Sequence, residues 1–361
     1  MSRHKPLPKG VRVVLILFSS LIAGVLLLTA ALFYAAMRLN SPPQEPPLTR
    51  GNFAGARLED SNSVVFEVKE GESSIAVGRR LEQAGLIRSS LFWDLLSRYK
   101  KDFVKTGTYR IPFPAAQTEI RAILVEGKQI LLRVTIPEGV TLKKAAAIIG
   151  ETGICSAEDF LDAARDPAII NSYHIPGKTM EGYLYPETYF FPGSYPADRV
   201  IRTMADTFFD RVHEIAPESK NLSPKELNDA VILASIVERE YRVEEEAPIM
   251  AGVFYNRMKI NMSLESCATV EYIITEIQGK KHPTVLLFAD IEVKDPYNTY
   301  VNPGLPPGPI SLPGRAALNA AFHPAQTDYL FFRLVDEKAG RHYFSKTLDA
   351  HIKAGALFVK G

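Results

Sequence analysis

SPKELNDAVILASIVEREY, residues 223–241, carries the marks of a helix with a defined start. Ser223 suits the N-cap, Pro224 the first helical position, and Glu226 completes a capping box. The apolar run that follows, 230–237, is broken by Ser235 alone. Leu227, Val231 and Ala234 share one face, and Glu238 is the next step along it. Each helical residue advances about 100°, so Glu240 is turned about 200° from Glu238. The spacing therefore predicts Glu238 on the core-facing stripe and Glu240 off it. A carboxyl among apolar groups has its charged form disfavoured, so its pKa rises and it becomes a proton donor near neutral pH. The alternative is a solvated helix end, because Glu240, Glu244, Glu245 and Glu246 follow. The pattern by itself leaves both readings open.

Working outward, the 361 residues suggest two or three folding units. Apolar side chains make up 46% of the chain, enough for a sizeable core. The net charge is +1 and no stripe of Lys, Arg and aromatics is present, which argues against a nucleic-acid partner. Cys155 and Cys267 lie far apart with no Cys/His cluster, so a structural zinc site is not expected. A disulfide between them is neither required nor excluded.

Residues 1–12 carry Arg3, Lys5, Lys9 and Arg12 and no acid, and 13–37 carries no charge at all. At about 1.5 Å per residue that apolar run can cross a bilayer core of about 30 Å with some tilt. It exceeds the usual apolar core of a signal peptide. The expectation is an uncleaved single-pass anchor, with 1–12 in the cytoplasm and the rest beyond the cytoplasmic membrane. The stretch 38–62 contains SPPQEPPLTRG and reads as a semi-rigid spacer holding the globular part away from the membrane.

Residues 63–133 read as a small α/β module. VVFEV is a strand, 73–84 and 89–99 are helices, KTGTYRI is a strand, 118–125 a helix and QILLRVTI a third strand. Sliding the chain by 68 residues brings Glu70-Gly71 onto Glu138-Gly139, Leu81 onto Ile149, Gly85-Leu86 onto Gly153-Ile154, and Phe92 onto Phe160. A strand, Glu-Gly turn, helix, Gly-hydrophobic turn and helix are thus expected twice without a gap.

Further on, MEGYLYPETYFFP at 180–192 packs aromatics around Glu181 and Glu187. It suits either core or a carbohydrate groove, with core favoured. Helices are expected at 248–258 and 268–278. DPYNTYVNPGLPPGPISLPG at 295–314 reads as an ordered, site-forming loop. TDYLFFRLV and RHYFSK form a hairpin, and a helix follows Thr347. The fold class is α+β: one N-terminal transmembrane helix, a small module, and a larger α+β domain over 134–361.

EGYLYPETY at 181–189, LASIVERE at 233–240, VFYNRM at 253–258, ATVEY at 268–272, YNTYVNPGLPPGPISLPG from 297 and AAFHPAQTDYLFF to 332 occur in order. Together they resemble the YceG-like (MltG) family, the membrane-anchored endolytic murein transglycosylases of bacteria. The element order of 63–133 is similar to a LysM module. The resemblance implies cleavage of peptidoglycan strands between N-acetylmuramic acid and N-acetylglucosamine without water, leaving 1,6-anhydro-muramyl ends. It implies Glu238 as the catalytic acid and no metal or organic cofactor. Glu181 is the candidate supporting acid. Tyr189, Asn256, Thr269, Tyr297, Asn298 and Thr299 are candidates for the substrate groove or for its support. Expected partners are glycan strands, the cytoplasmic membrane and peptidoglycan synthases. Many relatives carry Asp-Pro where Cys267-Ala268 stand here, so an acid at that position is not carried over. Two other readings remain in play: a non-catalytic glycan-binding scaffold, and a water-using glycosidase with Glu181 as partner carboxylate.

Overall fold

A computed structural model describes residues 9–43, 56–60, 62–283 and 285–358. The chain divides into two compact units, 1–130 and 131–361. Residues 1–8 and 44–55, which hold most of the basic tail and about half of the expected spacer, lie outside the described residues.

The first unit opens with helix α1 (Lys9–Asn40), long and apolar enough to cross a membrane and exposed along nearly all its length. Strands β1 (Ala56–Asp60), β2 (Ser63–Val68) and β3 (Gly107–Pro112) form one antiparallel sheet in the order β1-β2-β3. Helices α2 (Ser74–Gln83), α3 (Ser90–Lys100) and α4 (Gln117–Glu126) complete it. Val64, Phe66 and Val68 alternate inward from β2 and meet Val77, Leu81 and Trp93 from the helices. β1 falls inside the stretch read as spacer, a correction with a simple cause. ARLED is short and charged, with only Ala56 and Leu58 apolar, and edge pairing with β2 supplies its order.

QILLRVTI corrects a second expectation. Gln129 and Ile130 meet β3, but Leu131–Thr135 form β4, which belongs to the second unit and pairs antiparallel with β5 (Thr188–Pro192). The second unit then carries α5 (Leu142–Thr152), α6 (Ala157–Ala163), α7 (Pro167–Ser172) and α8 (Ala197–Ile215). After these come α9 (Pro224–Glu240), α10 (Ala247–Lys259), and α11 (Cys267–Tyr272), which runs into a π turn, Ile273–Ile277. The chain continues through α12 (Phe288–Ile291) and α13 (Arg315–Phe322) to the hairpin of β6 (Phe331–Asp336) and β7 (Arg341–Ser345), and to α14 (Leu348–Phe358). α8 is amphipathic: Val200, Ile201, Met204, Ala205, Phe208 and Val212 are buried at helical spacing. Tyr183, Leu184, Tyr185, Tyr189 and Phe191 of the aromatic stretch join the same core, while Phe190 is exposed.

The internal echo is present at the level of elements, with one adjustment. β2-α2-α3 and β4-α5-α6 follow the same order, and β3 or β5 returns to close each pair. Gly71 and Gly139 hold φ of 71° and 72°, and Gly85 and Gly153 hold 71° and 77°. These are left-handed turns at matching places. The N-caps Ser73 and Thr141 keep the offset of 68, but Ser89 and Ser156 are 67 apart. The first copy therefore has one extra residue before α3. The buried aromatic matching Phe160 is Trp93, and Phe92 is only half-buried.

Candidate active site

α9 starts as its sequence dictates. The Ser223 hydroxyl accepts from the Glu226 amide at 3.3 Å, and the Glu226 carboxylate accepts from the Ser223 amide at 2.8 Å. From Ala230 to Val237 every side chain is buried, so the helix is enclosed all round, against α10, α11, α13 and the Pro/Gly loop. Ser235, which interrupts the apolar run, has a purpose in this packing. Its hydroxyl accepts from the Ile310 amide at 3.0 Å, and its carbonyl accepts from the Ser311 hydroxyl at 2.9 Å. The 295–314 loop is thereby fastened along the helix and is ordered, as expected of a site-forming loop.

Glu238 is the first side chain past the enclosed run and is half-buried. Its Oε2 accepts from the Gly314 amide at 2.9 Å, and its Oε1 accepts from the Tyr241 hydroxyl at 3.4 Å. Gly139 lies against its Cγ. The turn that carries Gly139 is strapped to the loop: the Gly139 amide donates to Leu312 O at 2.9 Å, and the Leu312 amide donates to Val140 O at 2.8 Å. Glu138 leans on Gly314, where a Cβ would overlap its carboxylate. Burial pushes the Glu238 carboxyl up to about 7. The Gly314 amide and Tyr241 hydroxyl pull it down, and the charges of Glu138 and Glu244 push it up. Glu238 is thus a carboxyl that can hold and release a proton near neutral pH.

Glu240 lies off the core-facing stripe, as the helical wheel expects. It is turned away from Glu238 and is half-buried. Its Oε1 accepts from the Ser266 hydroxyl at 2.5 Å, just before α11, and burial raises its pKa. The enclosure ends at Val237, and the last turn of α9 is only partly covered. Of the acidic run, Glu246 is buried, bonded to the His342 ring at 2.8 Å, while Glu244 and Glu245 are exposed.

Glu181 is buried and its carboxyl is pushed up to about 8, mainly by burial. Oε1 accepts from the Leu142 amide, an unpaired donor at the start of α5, at 2.9 Å; Oε2 accepts from the Tyr272 hydroxyl at 3.4 Å. It pins α5 and α11 together. Tyr297 stacks at a tilt on Tyr272, with ring centres 5.2 Å apart. Thr269 and Thr299 are buried and share a hydroxyl contact at 2.9 Å. The Asn298 amide group donates to Ile291 O and Val293 O and so shapes the loop from inside. Asn256 donates to Thr327 O and Tyr329 O, holding the chain before β6. The buried Tyr189 donates to Tyr185 O. Cys267 and Cys155 are both free thiols.

Tyr241, Gly314, Glu138 and Tyr272 were not singled out by sequence reasoning. The Gly314 donor is a main-chain group, which no residue type announces. Tyr241, three residues after Glu238, was open to detection by helical spacing. Beside the last turn of α9 opens a cleft of about 520 Å³, lined in part by Arg239, Glu240, Arg242, Cys267, Tyr300 and Arg333. Glu238 itself is not among its lining residues.

An α+β unit that holds one half-buried, nearly neutral carboxyl beneath a Pro/Gly loop defines a class of carboxyl-centred site. The sequence profile of the YceG-like family matches residues 66–356, and the chain belongs to that family. It is 29% identical over 335 residues to the endolytic murein transglycosylase of Streptococcus pneumoniae strain D39, covering 81% of this chain and 58% of that one. The chain thus spans little more than half the length of the pneumococcal relative. It is 29% identical over 320 residues to the endolytic murein transglycosylase of Bacillus subtilis strain 168, covering 83% of this chain and 86% of that one. The 2.6 Å crystal structure of a yceG-like protein from Listeria monocytogenes superposes with a TM-score of 0.54 at 32% identity, covering 81% of this chain and 98% of that chain.

Proposed function

We propose that the chain is an endolytic peptidoglycan lytic transglycosylase. It cleaves between N-acetylmuramic acid and N-acetylglucosamine in nascent strands and leaves 1,6-anhydro-muramyl ends, acting as a terminator of strand elongation. The observation that carries this reading is the carboxyl of Glu238, near neutrality and gripped on one oxygen, in a family whose curated relatives bear that name.

The geometry supports an economical mechanism. The Gly314 amide occupies Oε2 at 2.9 Å, while Oε1 has only the longer Tyr241 contact, so the mobile proton belongs on Oε1. Protonated Glu238 delivers it to the glycosidic oxygen as the bond to the anomeric carbon breaks. The carboxylate left behind takes the proton of the muramyl C6 hydroxyl, whose oxygen closes on the anomeric carbon. One carboxyl serves as acid and then as base, and the intramolecular hydroxyl replaces water. A water-using retaining glycosidase needs an ionised partner about 5 Å away. Glu181 is poorly suited to that task, being buried, bonded through both oxygens and pushed up to about 8.

α1 serves as the anchor, with its basic N-terminal side in the cytoplasm and the rest of the chain beyond the membrane. Residues 63–133 act as a LysM-like module that binds glycan, and the larger domain is catalytic, with peptidoglycan synthases as neighbours. Incubating the detergent-solubilised chain with purified glycan strands and reading product ends by mass spectrometry tests the activity. Anhydro ends are expected. Reducing ends would favour hydrolysis, and uncleaved strands the scaffold reading.

A further inference from the structure

One face of α3 has no cover. Leu91, Leu95 and Tyr99 recur every four residues, and Phe103 continues the line just past the helix; their exposures are 82%, 63%, 83% and 82%. Large apolar side chains aligned this way do not arise from scatter, and the opposite side of the same helix already meets the core through Trp93. Two cations, Lys100 and Lys101, end the helix and have no ion pair among the described residues. The Asp94 carboxylate on this helix is taken by Arg98 at 3.0 Å.

A second, independent observation says what lies beside this face. The module does not stand off from α1 on a spacer, which corrects the expectation for residues after Arg38. Arg88 Nε donates to Ser41 O at 3.1 Å and Pro42 O at 3.0 Å, and its Nη2 donates to Pro42 O at 2.6 Å. The Thr118 amide, at the start of α4, donates to Asn40 Oδ1 at 2.9 Å. Ala36, Asn40 and 41–43 are partly covered where the rest of α1 is exposed. Ser41 lies four residues past Met37, the last of the apolar run, hence about 6 Å along the helix axis. Arg88 immediately precedes the N-cap of α3. The apolar stripe therefore begins three residues from a contact with the residues that follow α1.

We propose that the Leu91–Leu95–Tyr99–Phe103 stripe rests on the lipid surface at the C-terminal end of α1, with Lys100 and Lys101 against anionic headgroups. The inference rests on the reading of α1 as a membrane span. A tyrosine and a phenylalanine beside lysines suit the interface, where rings bury at the acyl boundary and cations meet phosphate. The first unit is then a surface-bound platform, and its glycan-facing side is the one turned from the bilayer.

The test uses the full chain reconstituted into vesicles of phosphatidylglycerol and phosphatidylcholine. A polarity-sensitive fluorophore is attached at Tyr99→Cys in a Cys155→Ser, Cys267→Ser background. The control is Glu67→Cys, an exposed position on the sheet face opposite the helices. Brominated lipids should quench the Tyr99 probe severalfold more than the control, and iodide should reach it severalfold less. The lipid quenching should weaken in pure phosphatidylcholine. Equal access of iodide to both probes, with no lipid quenching in a chain that survives an alkaline wash, overturns the proposal and leaves the span intact. Protection that grows with protein density but not with brominated lipid indicates a second copy on the stripe and also overturns it. Release of the chain by the alkaline wash overturns the span itself, and the proposal with it.

Discussion

Glu238 gains its properties from a balance of neighbours. Burial raises its carboxyl to about 7, and Glu138 adds to the rise. Cleavage should therefore fall as pH rises past about 7, since the donor loses its proton. Glu138→Gln removes a neighbouring charge and should move that alkaline limb to lower pH in a kcat/KM profile; an unmoved limb would show that Glu138 does not act on the acid. Glu181 makes a different prediction. Its folded pKa of about 8 lies above the ordinary 4.5, so the folded chain holds the proton more tightly. Its contribution to stability is full below about pH 4.5 and is lost as pH rises toward 8. Glu181→Gln keeps an oxygen for the Leu142 amide and removes the charge. Thermal melting should lose part of its decline between about pH 5 and pH 8, and an unchanged decline would assign the loss to other groups.

α9 was legible because capping and period are local: Ser223, Glu226 and the spacing to Glu238 are written in consecutive residues. The period placed Glu240 off the Glu238 face but could not show that Ser266 meets it there. Trp93 was missed as the partner of Phe160 because one inserted residue shifts the register, and a fixed offset cannot see it. The Gly314 amide was invisible for a deeper reason, since it depends on where a loop 76 residues further along the chain comes to lie. That placement itself rests on Ser235. Ser235→Ala leaves the Ile310 amide buried without its acceptor, at a cost of about 1–3 kcal/mol. We expect a lower denaturant midpoint and a loss of cleavage larger than the stability change explains, because the loop positions Gly314. Unaltered activity and midpoint would mean that the loop is held by its prolines alone.

Across the whole molecule, composition indicated the long apolar helix α1, and the family resemblance indicated the family. The boundary between units fell at 130/131, and β4 went with the second unit, because strand partners are chosen by tertiary contact. β1 shows the same limit. A short, charged strand is ordered by its neighbour β2 and by the ion pair of Glu59 with Arg110 of β3. If α1 is the anchor, the full chain should stay in the membrane pellet through an alkaline wash, and removal of residues 1–40 should release it. Release of the full chain by the wash would contradict the anchor. The central claim concerns one carboxyl. It is tested most directly by the initial rate of glycan-strand cleavage for Glu238→Gln against the unaltered chain, with thermal melting as the check on folding. The account predicts a loss of roughly 10²–10⁴-fold, the scale of a general acid, with melting at neutral pH not lowered; turnover equal to that of the unaltered chain would contradict it.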